Sequence, residues 1–117
     1  MQRFCFALDL KNDPGLIQKY IEHHQNVWPE ILKSISDAEI IDMQIYHVAD
    51  RLFMIMETTD DYDPEVKAEA DRNNPKVQEW ETLMDTYQKR LPFAAEDQKW
   101  IPMEKIFSLK EAESETF

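Results

Sequence analysis

Four prolines punctuate this chain at places where a helix can begin and cannot continue: Pro14, Pro29, Pro64 and Pro75. Proline has no backbone N–H and crowds the turn before it, but its fixed φ suits the first helical position. The residues ahead of three of them are cap formers. Asp13 precedes Pro14, Asp60-Asp61-Tyr62-Asp63 precedes Pro64, and Asn73-Asn74 precedes Pro75. Each can satisfy backbone N–H groups that a helix start leaves open. The pattern predicts a helix from Pro14 that bends at Trp28-Pro29, a short second helix over Glu30–Ser36, a helix from near Pro64, and a longer one over Pro75–Lys89. On that last helix Val77, Trp80, Leu83, Met84 and Tyr87 form the apolar side.

The stretches between these helices read as strands. Arg3–Leu10 is apolar on both faces, as a central strand is. In Glu39–Val48, Ile41, Met43 and Ile45 face one way, and Asp42, Gln44 and Tyr46 the other. Ala49-Asp50-Arg51 is short enough for a hairpin into Leu52–Thr59. After a loop over Leu91–Gln98, Trp100–Leu109 is expected to be the last strand. The order β-α-β-β-α-β predicts an α+β, ferredoxin-like fold: a four-stranded antiparallel sheet with helices on one face. Apolar residues on both strand faces predict a second copy of the chain over the bare face, giving a dimeric α+β barrel. Residues 1–109 form the single domain of this reading. The acidic stretch 110–117 is a tail expected to fray.

Composition excludes several classes of function. A net charge of −11 repels phosphate backbones and anionic lipid, so nucleic acid and membrane partners are not expected. The one glycine, Gly15, rules out a glycine-rich phosphate loop. The one cysteine, Cys5, lies in an apolar run and reads as a buried free thiol, in keeping with a reducing cytoplasm. The N-terminus meets a charge too soon for a signal peptide, and no apolar run approaches the ~20 residues of a spanning helix. A soluble cytoplasmic protein with a neutral small-molecule ligand or a protein partner is the expectation.

Reactive side chains concentrate in Tyr20–Glu30, which holds His23, His24, Tyr20 and Trp28. Tyr20 and His24 are four apart, so they share one helix face with Ile17 and Ile21 and point inward. Spacing leaves two readings open. The pair can simply satisfy each other or the backbone within a core, or it can line a pocket in which His24 moves protons and Tyr20 orients a substrate. His23 lies about 100° round the helix and is expected, with Glu22, on a solvated face. The adjacent histidines therefore do not chelate one metal, and no metal-ligand spacing occurs elsewhere. His47 reads as a surface or interface residue, Trp28 as a plug at the helix bend. Trp80 reads either as core or as a wall for the apolar face of a sugar ring. Without a nucleophile motif, proton transfer is the reaction these residues support.

Taken together, Phe4 to Leu8, the pair Tyr20 and His24 followed by Val27-Trp28-Pro29-Glu30, Ile45-Tyr46, Leu52-Phe53 with Glu57, Val77-Gln78-Glu79-Trp80 and Ile106-Phe107-Ser108-Leu109 resemble the L-rhamnose mutarotase family. The resemblance implies a dimeric ferredoxin-like isomerase without a cofactor. Such an enzyme interconverts the α and β anomers of a neutral 6-deoxy sugar, L-rhamnose first, through an open-chain aldehyde. It implies that His24 is the catalytic proton donor and that Tyr20 and Trp80 bind substrate. Two positions depart from the family pattern. Glu81 stands where a second consecutive aromatic would contact sugar, and Met43 where a sugar-contacting tyrosine would. These departures keep L-fucose or another 6-deoxy sugar open as substrate. Two further readings stay beside the mutarotase: a non-catalytic ferredoxin-like ligand-binding module, and another dimeric ferredoxin-like enzyme such as a cofactor-independent monooxygenase or haem-degrading protein.

Overall fold

The computed structural model describes residues 1–115. Its elements follow the proline punctuation: β1 (Gln2–Leu10), α1 (Pro14–His24), α2 (Pro29–Asp37), β2 (Ile40–Val48), β3 (Arg51–Thr58), α3 (Pro64–Arg72), α4 (Pro75–Asp85), β4 (Gln88–Lys89), β5 (Ile101–Pro102) and α5 (Leu109–Glu115). The caps form as their chemistry requires. The Asp13 carboxylate accepts from the N–H groups of Gly15 and Leu16 at 2.9 and 3.1 Å. Asp63 accepts from Glu65, and the Asn74 amide oxygen from Lys76 and Val77. Trp28 caps α2 without a side-chain bond, and Pro29 alone sets its first turn.

The sheet is antiparallel in the order β2-β3-β1, with β4 and β5 both pairing the outer edge of β1. Residues opposite one another share a face. Leu8 pairs with Leu52, Phe6 with Met54 and Phe4 with Met56, and β2 continues the row with Ile45 and Met43. Helices α1, α2 and α4 lie over this face. Leu10, Tyr20, Ile31, Leu52, Val77, Trp80, Met84 and Tyr87 form the buried cluster, with Ile45 and Trp100 packed against it. The opposite face carries Cys5, Phe53, Ile55 and Tyr46, together with the in-register ion pairs Arg51–Asp9 and Arg3–Glu57.

The expected barrel is not present. The sheet is open: β2 lies at one edge and β4 and β5 at the other, and among the described residues no ladder joins them. Within one chain the open sheet leaves one face to solvent, where Tyr46 is 56 % and Val48 72 % exposed. Two boundaries also move. α4 stops at Asp85 rather than Lys89, so Tyr87 leaves the helix in a turn and Gln88 enters the sheet edge. The last strand shrinks to Ile101–Pro102, and residues 103–108 run on without regular structure. Ile41 does not share a face with Met43, because a bulge between Ile40 and Asp42 turns it outward. The acidic stretch is helical over Leu109–Glu115, and Thr116 and Phe117 of the expected tail lie outside the described residues.

Candidate functional site

The site is built where the end of α1 meets α4 and β4. Tyr20 lies in the last turns of α1 and is 3 % exposed, and His24 closes the helix one turn later. Their rings are 4.4 Å apart between centroids. His24 Nδ1 lies 2.8 Å from the Tyr20 carbonyl oxygen. A carbonyl can only accept, so Nδ1 carries the proton, and in the neutral ring Nε2 keeps a free lone pair. Burial lowers the His24 pKa from its ordinary 6.5; the bond to the Tyr20 carbonyl opposes this, and the neighbouring His23 adds to it. The imidazole is thus held neutral, in one tautomer, as a base.

Trp80, on α4, forms the wall behind this base. Its ring meets His24 edge-on at 5.7 Å and Trp28 at 5.1 Å. The Lys76 ammonium lies 5.7 Å from the Trp28 ring centre, where a cation is attracted by the ring face. On the other side, the Gln88 side-chain N–H donates to the Tyr20 hydroxyl at 3.2 Å. Burial pushes the Tyr20 pKa up to about 12; the Gln88 bond pulls the other way, and the Glu81 carboxylate adds to the rise. Tyr20 therefore stays protonated throughout the neutral range and can donate a hydrogen bond.

The structure brings Tyr20, His24 and Trp80 together. Glu81, next to Trp80, is turned to the 90–100 segment. Its carboxylate lies 2.6 Å from Lys99 Nζ, and Lys99 also holds Asp85 at 2.8 Å. Met43 is half-buried on the helix-covered face of β2, opposite Met56. His47 is exposed and bonds the carbonyl of Ala49 in its own hairpin.

Three site residues escaped the sequence reading. His23 is not on a solvated face: its Nε2 lies 3.0 Å from the Tyr87 hydroxyl and its ring 6.4 Å from that of Trp80. Helical spacing runs on through Tyr87 and Gln88 and hides the strand pairing with β1 that points Gln88 at Tyr20. The only signal available was Thr86, a weak helix former at the true end of the pattern. Beside His23 an open groove is lined by Lys19, Glu22, Asn26, Trp28 and Tyr87. A second recess, between α2 and α3, holds Asp37, Glu39, Asp61, Asp63 and Asp71, with Lys67 already paired to Asp71. That recess has no aromatic ring and no histidine in its lining. Among the described residues no group of three or more His, Cys, Asp or Glu is placed to hold a metal ion. No helix among them is long and apolar enough to cross a membrane.

Comparison with known proteins places this geometry in context. A family model described as rhaM, L-rhamnose mutarotase, matches residues 3–109. The chain is 44 % identical over 116 residues to an L-fucose mutarotase of Xanthomonas campestris pv. campestris, covering 97 % of this chain and 93 % of that one. It is 34 % identical over 82 residues to an L-rhamnose mutarotase of Phocaeicola vulgatus, covering 68 % and 73 %. The crystal structure of an L-rhamnose mutarotase from Formosa agariphila superposes with a TM-score of 0.69 over 93 % of this chain and 99 % of that one. At 23 % identity that likeness speaks for the fold alone.

Proposed function

The chain belongs to the rhaM L-rhamnose mutarotase family, and from that premise we propose that it is an L-fucose mutarotase, a cofactor-independent isomerase that interconverts the anomers of this 6-deoxy sugar. Membership makes it a sugar mutarotase-type protein. The choice of L-fucose over L-rhamnose reverses the order given by the sequence reading, and rests on the 44 % identity that spans nearly the whole chain. The observation that carries the chemistry is His24 Nδ1 fixed on the Tyr20 carbonyl, which leaves Nε2 as a base among apolar rings.

Mutarotation breaks one bond and remakes it. His24 Nε2 takes the proton of the anomeric hydroxyl. The electron pair of that O–H forms the aldehyde C=O as the bond from C1 to the ring oxygen breaks. The His24 imidazolium gives that proton to the ring oxygen, C1–C2 rotates, and closure on the other face reverses the steps. The protonated Tyr20 hydroxyl orients the sugar. General acid–base catalysis of this kind contributes about 10²–10⁴-fold. Trp80, at 7 % exposed, supports the His24 ring from behind.

A homodimer is part of the same proposal. Phe53, Ile55, Tyr46 and Val48 leave an apolar sheet face, and residues 103–109 hold out Met103, Ile106, Phe107 and Leu109, with Ile106 90 % exposed. The Cα radius of gyration is 15.8 Å, above the roughly 13 Å of a compact domain of this length. Sedimentation at micromolar concentration is expected to give twice the chain mass. A single 14.0 kDa species refutes the dimer.

The test of function is anomer exchange followed by NMR saturation transfer, run separately with L-fucose and L-rhamnose. Exchange of L-fucose is expected to accelerate, and to do so more than that of L-rhamnose. Buffer rates for both sugars refute the mutarotase and leave a ligand-binding module. A faster L-rhamnose rate reverses the sugar assignment.

A further inference from the structure

Gln88 has an amide that the folded chain only half uses. One end donates to the Tyr20 hydroxyl, whereas the side-chain oxygen is buried and has no hydrogen-bond partner, alone in this among the buried side-chain polar atoms of the described residues. Turning the amide over only exchanges which end is left over, because Tyr20 offers a single hydroxyl. Buried polar atoms are normally paired, and one left unpaired inside a core destabilises it. Leucine or methionine would fill the same space without that penalty. The backbone cannot relax the strain by shifting, since Gln88 is in register with Leu10 of β1 and the preceding Tyr87 carbonyl accepts from Lys11.

We propose that Gln88 is a positioning residue of the sugar site: its N–H, bonded to the Tyr20 oxygen, turns the tyrosine's own proton toward the bound sugar, and its spare oxygen is held for a sugar hydroxyl. A tyrosine oxygen that already accepts from Gln88 is left with its proton to give. The ligand class that satisfies both groups is a neutral polyol, which brings an acceptor for Tyr20 and a donor for Gln88 on adjacent oxygens. The inference rests on the mutarotase reading and deepens it. It also gives Tyr20 a defined direction, which helical spacing to His24 does not.

The experiment is the exchange assay with L-fucose on the wild type, Gln88→Leu and Gln88→Glu, beside thermal melts of all three. Gln88→Leu removes one unpaired oxygen but leaves the Tyr20 hydroxyl without its partner, so it is expected to melt within about 4 °C of the wild type and to raise KM about tenfold, the loss of one to two neutral hydrogen bonds, with a smaller fall in kcat. Gln88→Glu keeps an acceptor but loses the donated N–H, and is expected to lower kcat as Tyr20 turns its proton to the carboxylate. A Gln88→Leu protein with wild-type KM and kcat overturns the inference while leaving the mutarotase standing. So does one that melts lower yet exchanges normally, because that marks a structural residue. If Gln88→Leu does not fold, a Gln88→Glu protein of wild-type activity overturns it. A wild type that leaves exchange at the buffer rate removes both proposals.

Discussion

Replacing Tyr20 by phenylalanine tests the centre of the site with a change of one oxygen. The ring is 3 % exposed and belongs to the buried cluster, and phenylalanine keeps its contacts with His24 at 4.4 Å and Tyr87 at 6.2 Å. What disappears is the acceptor for Gln88. The lost bond and the newly unpaired N–H, beside an oxygen already unpaired, destabilise the fold by about 2 kcal/mol. For a chain of 117 residues the unfolding entropy near the midpoint is about 0.25 kcal/mol/K, so Tyr20→Phe should melt roughly 8 °C lower. Tyr20→Phe combined with Gln88→Leu removes both partners and should return to within about 2 °C of the wild type, since neither leaves an orphan behind. Circular-dichroism melts and urea midpoints with an unchanged slope measure this. A single variant that melts like the wild type refutes the reasoning. So does a double variant no more stable than the single one, because the hydroxyl and the amide are then not coupled.

Other perturbations have equally definite outcomes. His24→Gln should slow anomer exchange by about 10²–10³-fold with little change in melting temperature, and an active His24→Gln protein refutes His24 as the base. Because burial lowers the His24 pKa below 6.5, exchange should persist as pH falls through 6.5 and fade only at lower pH. An acid limb at or above 6.5 contradicts the buried neutral ring. The same shift has a sign in stability: the unfolded chain takes up the proton first. The His24 contribution is thus complete above pH 6.5, shrinks as pH drops toward the native pKa, and is level below it. His24→Gln should flatten that slope in melts taken across the window. Lys99→Met breaks contacts to two half-exposed carboxylates, Glu81 and Asp85, and should lower the melting temperature by no more than about 4 °C, or roughly 1 kcal/mol. A larger loss means that Lys99 anchors the 90–100 segment.

The elements were legible wherever local chemistry decides them. Asp13-Pro14, Asp63-Pro64 and Asn74-Pro75 open α1, α3 and α4 because a capping oxygen and a missing N–H act within one turn of chain. The end of α4 was not legible. Val77, Trp80, Met84 and Tyr87 keep helical spacing past Asp85, and it is pairing with β1 that draws Gln88 out of the helix. Two backbone positions were hidden for a related reason. Glu39 and Ala49 adopt φ of 70° and 51°, conformations that favour glycine, while the single glycine sits elsewhere at the start of α1. The helix end and the hairpin impose those angles despite the residue type.

By itself the sequence determined the order of elements from β1 to α4, the shared helix face of Tyr20 and His24, and the family, because caps, periodicity and motif spacing are written along the chain. Only the tertiary structure decided that the sheet stays open, that Lys99 ties Glu81 and Asp85 to a distant loop, and that His23 turns to Tyr87. It also decided the protonated nitrogen of His24 and the half-used amide of Gln88. Tyr20 and Gln88 are 68 residues apart in the chain. Which polar groups meet across such a distance depends on how two faces pack, and no local rule of spacing carries that information.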